Sequence, residues 1–219
     1  MIKSIHILMI AFMVIICTAQ EYHAGDHELL LMPTAYTMES GKSYLTDYEL
    51  FFLNYTYAVT PSTHLAIFTL FPITKDFLET FTLGAKQKYL DSDFIKAALW
   101  TTYTPKISGL TLGTVFSFGK ATNGLHIGIS TATEFETSEK HWEFIYMLGY
   151  RYDLSQKFSL LAEYTNFSSF IEEDFNGLIS IGIRFRGESI AWELAGVRPL
   201  ESTGDFLFFP LLKATFLFD

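Results

Sequence analysis

His126, Ser130 and Glu134 recur at every fourth residue. In an extended chain that spacing puts all three on one face. A serine, a histidine and a carboxylate within reach of one another are the parts of a hydrolytic nucleophile, its base and the group that orients the base. Alternation lines up polar residues on any strand, so the trio alone does not define a site. His23 and His27, with Glu21, Asp26 and Glu28, form a second group, suited to weak metal binding at most. No phosphate-binding glycine loop and no paired catalytic carboxylates stand out, and no cofactor or committed metal site is implied. A third set is more extensive. Lys86, Lys88, Lys96, Arg151, Arg184 and Arg186 fall toward one end of their segments, and Glu134, Glu143 and Glu163 toward the other. Glu193 and Lys213 fall near the middle. If their common face encloses a space, these charges grade it from acidic to basic and tune which ions pass. If they pair across it, they fill it instead.

The elements that would position these residues are strands. Ile179, Ile181, Ile183 and Phe185 alternate with Ser180, Gly182, Arg184 and Arg186, and Phe144, Tyr146, Leu148, Tyr150 and Tyr152 alternate with Ile145, Met147, Gly149 and Arg151. Period two is the strand signature, and turn residues such as Thr60-Pro61-Ser62, Thr122-Asn123-Gly124 and Arg186-Gly187-Glu188 break the runs. The pattern predicts about twelve strands: Leu29–Met38, Leu45–Ala58, Thr63–Pro72, Phe77–Leu90, Phe94–Thr104, Gly109–Gly119, Leu125–Glu136, His141–Asp153, Lys157–Phe167, Gly177–Arg186, Ser189–Arg198 and Phe206–Phe218. Leu45–Ala58 and the first and last strands carry large residues on both faces, which suits packing against a partner, an internal plug or a second protomer. Pro210 implies a bulge or a break in the last strand.

The chain has 219 residues, 18% of them charged and 17% aromatic. A soluble domain carries about 25% charged residues, so this surface faces something other than water. A formal net charge of −9 disfavours a nucleic-acid partner. The polar face is rich in Gly, Ser and Thr, as a concave interior requires, whereas the outside of a soluble sandwich carries Lys, Glu and Thr. Aromatics sit near the turns in two sets: Tyr89, Phe94, Tyr150, Tyr152, Phe158 and Phe185 at one level, and Tyr103, Phe135, Trp142 and Tyr164 at the other. Girdles of this kind, about 25 Å apart, mark where strands meet lipid headgroups. In lipid every backbone group must pair, so the sheet must close into a barrel.

The first residues read as an export signal. Lys3 is followed by an apolar run from Ile7 to Cys17, and Cys17-Thr18-Ala19 supplies a small-residue cleavage site. The expected organisation is a signal peptide over 1–19, a flexible segment over 20–28 and a transmembrane barrel over 29–219. Cys17 is the sole cysteine, so a mature chain starting at Gln20 has neither disulfides nor thiol chemistry.

Together the signal, the hairpin rhythm (YRYDLSQKFSLLAE, 150–163) and the aromatic-rich last strand (FLFFPLLKATFLFD, 206–219) resemble the small bacterial outer-membrane β-barrel proteins. The resemblance implies a closed antiparallel up-and-down barrel in the outer membrane of a Gram-negative cell, with both termini periplasmic. Its partners would be the lipid bilayer and the assembly machinery, which reads a final aromatic strand; here Phe216 and Phe218 alternate before Asp219. It assigns no oligomeric state. The function implied is a narrow, porin-like diffusion channel or a closed structural barrel. The alternatives are a lipid-acting enzyme of the lipase or lipid A hydrolase type and a soluble secreted β-protein. The lipase reading is weakened because those enzymes' catalytic groups face lipid, whereas His126 is expected to face the lumen.

Overall fold

The computed structural model describes residues 23–71, 75–135, 142–166, 177–200 and 207–219. The expected signal peptide at 1–19 lies outside them. The wall consists of β1 (Ser43–Tyr48), β2 (Phe52–Thr60), β3 (Thr63–Leu70), β4 (Thr82–Asp91), β5 (Ile95–Thr104), β6 (Gly109–Lys120), β7 (Asn123–Glu134), β8 (Glu143–Asp153), β9 (Phe158–Thr165), β10 (Leu178–Arg186), β11 (Ile190–Pro199) and β12 (Phe209–Phe218). Each strand is antiparallel to the next, and β1 pairs with β12 from Ser43↔Phe218 to Tyr48↔Lys213, which closes the barrel. Closure leaves no edge strand. One end, called here the terminal end, carries the start of β1, the end of β12 and the short turns after β2, β4, β6, β8 and β10.

The period-two pattern decides what each face meets. On β8, Phe144, Tyr146, Leu148, Tyr150 and Tyr152 point outward and are exposed, while Ile145, Met147 and Arg151 point inward and are buried. On β10, Ile181, Ile183 and Phe185 are outside, and Ser180 and Arg184 inside. This is the arrangement of a lipid-facing exterior around a polar interior.

Two expectations change at the start of the chain. Leu29–Met38 is not a strand, and Leu45–Ala58 is not one strand but parts of two. β1 ends at Tyr48, and the chain turns back through Glu49, Leu50 and Phe51 into β2. Glu49 (φ 57) and Leu50 (φ 61) are both left-handed, and the Phe51 N–H donates to the Tyr48 carbonyl at 3.0 Å. Such hairpin turns usually use Asn-Gly or Asp-Gly, so nothing in Glu-Leu announces one. Glu49 is tied to β12 instead: its N–H donates to the Leu212 carbonyl at 2.9 Å, and its carboxylate accepts the Leu212 N–H. Leu50 is 70% exposed, and its backbone N–H, which meets the Asp47 carboxylate, is kept by glycine. Leu50→Gly should therefore raise the unfolding free energy by about 0.5–1 kcal/mol, the left-handed penalty less the glycine entropy cost. Urea titration of the detergent-folded protein reads this directly, and a loss of stability would show the turn to be unstrained.

The wall thus has twelve strands, but begins at Ser43 rather than Leu29. The residues before it run inside. Ala24, Asp26, His27, Leu29, Leu30, Met32, Ala35 and Met38 are all buried, so the stretch expected to be flexible is packed from its first described residues. It forms a tight hairpin: Leu29 N–H donates to the Met32 carbonyl at 2.8 Å, Thr34 N–H donates to the His27 carbonyl at 3.0 Å, and Glu28 bridges Pro33. We call residues 23–38 the plug.

Candidate functional site: the plugged lumen

The plug meets the wall through three apolar patches. Met32 and Ala35 pack with Ala98, Val115, Ala132, Ile145 and Met147, and Leu29 and Leu30 pack with Leu161 and Ala195. Met38 packs with Tyr44 and Ala58. Inward glycines make the room. A Cβ at Gly149 would overlap Leu29 Cδ1, and one at Gly182 would lie 3.0 Å from Leu30 Cδ2.

Charged side chains hold the hairpin's peptide groups from both sides. Glu163 accepts the N–H groups of Leu30, Leu31 (3.0 Å) and Met32 (3.2 Å). From the neighbouring strand β10, Arg184 Nη2 donates to the carbonyls of Glu28 (2.7 Å) and Leu29 (2.9 Å), and from β12 Lys213 Nζ donates to those of Leu29 and Leu30 (2.9 Å). Lys86 Nζ donates to the carbonyls of Thr34 (2.8 Å) and His27 (3.3 Å). Hydrogen bonds with one ionised partner are about twice as strong as neutral ones.

The plug's own acids are paired as well. Asp26 meets Arg151 at 2.5 Å with both side chains buried. Glu28 Oε1 lies 3.1 Å from Lys213 Nζ, and both Glu28 oxygens accept from Tyr48 Oη at 2.6 and 2.7 Å. His27 lies 3.0 Å from Glu28 and stacks on Tyr44 with ring centroids 3.7 Å apart. Behind the plug, Glu193 joins Arg184 (2.7 Å) to Lys213 (2.6 Å). At the terminal end Asp91 takes Lys88 and Lys96, and Asp153 takes Arg151 (2.9 Å) and Arg186.

The residues selected from sequence are placed as follows. Lys96, Arg151, Glu163, Arg184, Glu193 and Lys213 are buried on the inner face, the side chains of Lys88 and Arg186 are nearly so, and Lys86 reaches the plug. Glu134 and Glu143 are half-buried toward the end opposite the termini. Tyr89, Phe94, Tyr150, Tyr152, Phe158 and Phe185 are exposed near the terminal end. Tyr103, Phe135 and Trp142 are exposed near the other, where Tyr164 is half-buried.

His126, Ser130 and Glu134 are not brought into one hydrogen-bonded line. His126 Nδ1 shares a hydrogen bond with Ser117 Oγ at 2.8 Å, and that oxygen also accepts the Ala35 N–H at 2.9 Å. His64, near the turn after β2, is an inward contact, its Nε2 accepting the Met38 N–H at 2.9 Å. His27, Asp26 and Glu28 are occupied by the wall, and the described residues hold no cluster fit for a metal ion. The partners that sequence reasoning missed are Tyr48, His64, Asp91, Ser117 and Asp153.

A closed antiparallel wall with an apolar exterior and a charged interior defines a transmembrane β-barrel of the bacterial outer-membrane type. No family model matches the chain, and no curated protein matches it. Solved structures similar to it include the Acinetobacter baumannii outer membrane protein Omp33, at 13% identity over 81% of this chain and 96% of that one, with a TM-score of 0.44. Salmonella typhi OmpF, in a complex with daunomycin, is 8% identical over 77% of this chain and 62% of its own, with a TM-score of 0.44. A mutant of the Rh. blastica porin is 14% identical over 76% of this chain and 55% of its own, with a TM-score of 0.42. The chain therefore spans only about half to two-thirds of the length of these two proteins.

Proposed function

We propose that this outer-membrane barrel is a channel held shut by its own N-terminal segment, and that small hydrophilic solutes or ions cross only when the plug leaves the lumen. The observation behind this reading is the chemistry of the wall that the plug covers. Lys86, Ser117, His126, Arg151, Ser180, Arg184, Glu193 and Lys213 all face inward. A lumen filled once and for all would be at least as stable with apolar residues there, because desolvating charges costs more than their pairing commonly returns. A solute path needs such a wall.

The root of the plug also favours movement. Gly41, between plug and β1, has φ +90 and open space around its Cβ position. With the termini in the periplasm, the plug would enter from that side. A second reading, a permanently closed structural barrel, draws support from the apolar packing of Met32 and Ala35.

Planar-bilayer recording separates the two. The native protein should be silent or open rarely. Glu163→Ala removes the acceptor for three plug N–H groups and should raise the open probability about tenfold or more, the equivalent of ~1.4 kcal/mol or above. Equal silence in both proteins would favour the structural barrel. Full-sized steps from the native protein would show that the plug does not close the lumen.

A further inference from the structure

We infer that the wall facing the plug is a binding site for small dicarboxylates, and that Asp26 and Glu28 occupy it in place of the solute. The inference rests on the channel reading above and assigns a solute class to it. At the level of the plug, the inner face carries four cations, Lys86, Arg151, Arg184 and Lys213, and the wall supplies three carboxylates, Glu163, Glu193 and, paired with Arg151, Asp153. Glu193 is already shared between Arg184 and Lys213, and Glu163 is turned to the plug's amides.

The plug supplies what the wall lacks. It brings two carboxylates two residues apart, Asp26 to Arg151 and Glu28 to Lys213. Both hydrogen bonds of Lys86 go to plug carbonyls. Withdrawing the plug would leave Lys86 without these acceptors and would remove one carboxylate from Arg151 and one from Lys213. Once the plug leaves, the lumen is wet, but the lining cations have lost their compensation and favour an entering anion over a cation. The molecule that restores it is an anion with two carboxylates, whose oxygens reproduce the plug's contacts. Tyr48 Oη adds a neutral donor at the Glu28 position, which an entering carboxylate can use.

Asp26→Asn/Glu28→Gln in the full chain removes both surrogate charges, and deletion of 24–38 removes the whole plug. Succinate and putrescine serve as probes of opposite sign and similar length. Succinate should raise the thermal unfolding midpoint of the double variant and of the deletion, with no such rise for the native protein and none from putrescine. In bilayers the deletion should favour chloride over potassium, and millimolar succinate should cut its current about fivefold or more. A cation-selective deletion, or one blocked by putrescine rather than succinate, overturns the dicarboxylate site and leaves the plugged channel standing. A deletion that stays silent yet is stabilised by succinate does the reverse. If the deletion does not fold, the double variant decides alone: no stabilisation by succinate, or an equal one by putrescine, overturns the inference.

Discussion

Lys213→Met should lower the unfolding free energy of the detergent-folded barrel by ~3–5 kcal/mol, the cost of breaking a buried ion cluster from one side. Lys213 is buried on β12 and meets Glu28, Glu193 and two plug carbonyls. Its ammonium bridges the carboxylates of the plug's Glu28 and the wall's Glu193. With methionine there, Glu193 keeps Arg184, while Glu28 keeps only Tyr48 and His27. Adding Glu28→Gln to the variant should return part of the loss, because one uncompensated carboxylate has gone; that non-additivity is the signature of a coupled cluster. Urea titration of both variants measures it. A loss below about 1 kcal/mol would mean that water reaches the cluster and that the plug is held by its apolar patches.

Gly149→Leu should push the plug out of its seat. A single Cβ at this position already overlaps Leu29 Cδ1 and comes within 3.0 Å of the Met32 sulfur. A leucine there competes for the space that Leu29 fills. Overpacking costs typically ~1–3 kcal/mol, and the wall, fixed by hydrogen bonds to β7 and β9, yields less readily than a segment rooted at one end. Channel openings should become about tenfold more frequent. Leu29→Ala in the same chain restores the space and should restore silence. Unchanged silence in Gly149→Leu at native stability would mean that the plug and the conduction path are unrelated.

The wall was readable because lipid and lumen enforce opposite chemistry on successive residues. From β5 to β11 the outward aromatics and the inward charges follow parity, while in β4 a bulge between Lys88 and Leu90 leaves Tyr89 and Leu90 both exposed. The plug was not readable in this way. Leu29–Met38 is mostly apolar because the surrounding wall buries most of it, with Leu31 left 43% exposed, so it has the composition of a strand. One residue did argue against that assignment: Pro33 sits in mid-run, where an interior strand needs an N–H for its ladder. The consecutive Leu29, Leu30, Leu31 and Met32 also break period two. The turn at Glu49-Leu50 left no trace because its left-handed pair lacks Gly or Asn. Counting the plug as a strand and missing this turn are opposite errors, which is why the expected strand number agrees with the structure while the first boundaries do not. The pairing of Asp26 with Arg151, 125 residues apart, depends on the hairpin's depth in the lumen, which local pattern does not encode.

Among the described residues, the plug's covalent link to the wall runs through residues 39–42, at the terminal end. On the proposed channel reading, a hairpin rooted at one rim would withdraw toward that rim and re-enter from it. Its acids ride on the moving part and the cations that hold them stay on the wall. A voltage that drives negative charge toward the terminal end therefore tends to unseat the plug, and the reverse voltage seats it. A barrel closed in this manner is a rectifier, with the polarity fixed by the side on which its first strand begins.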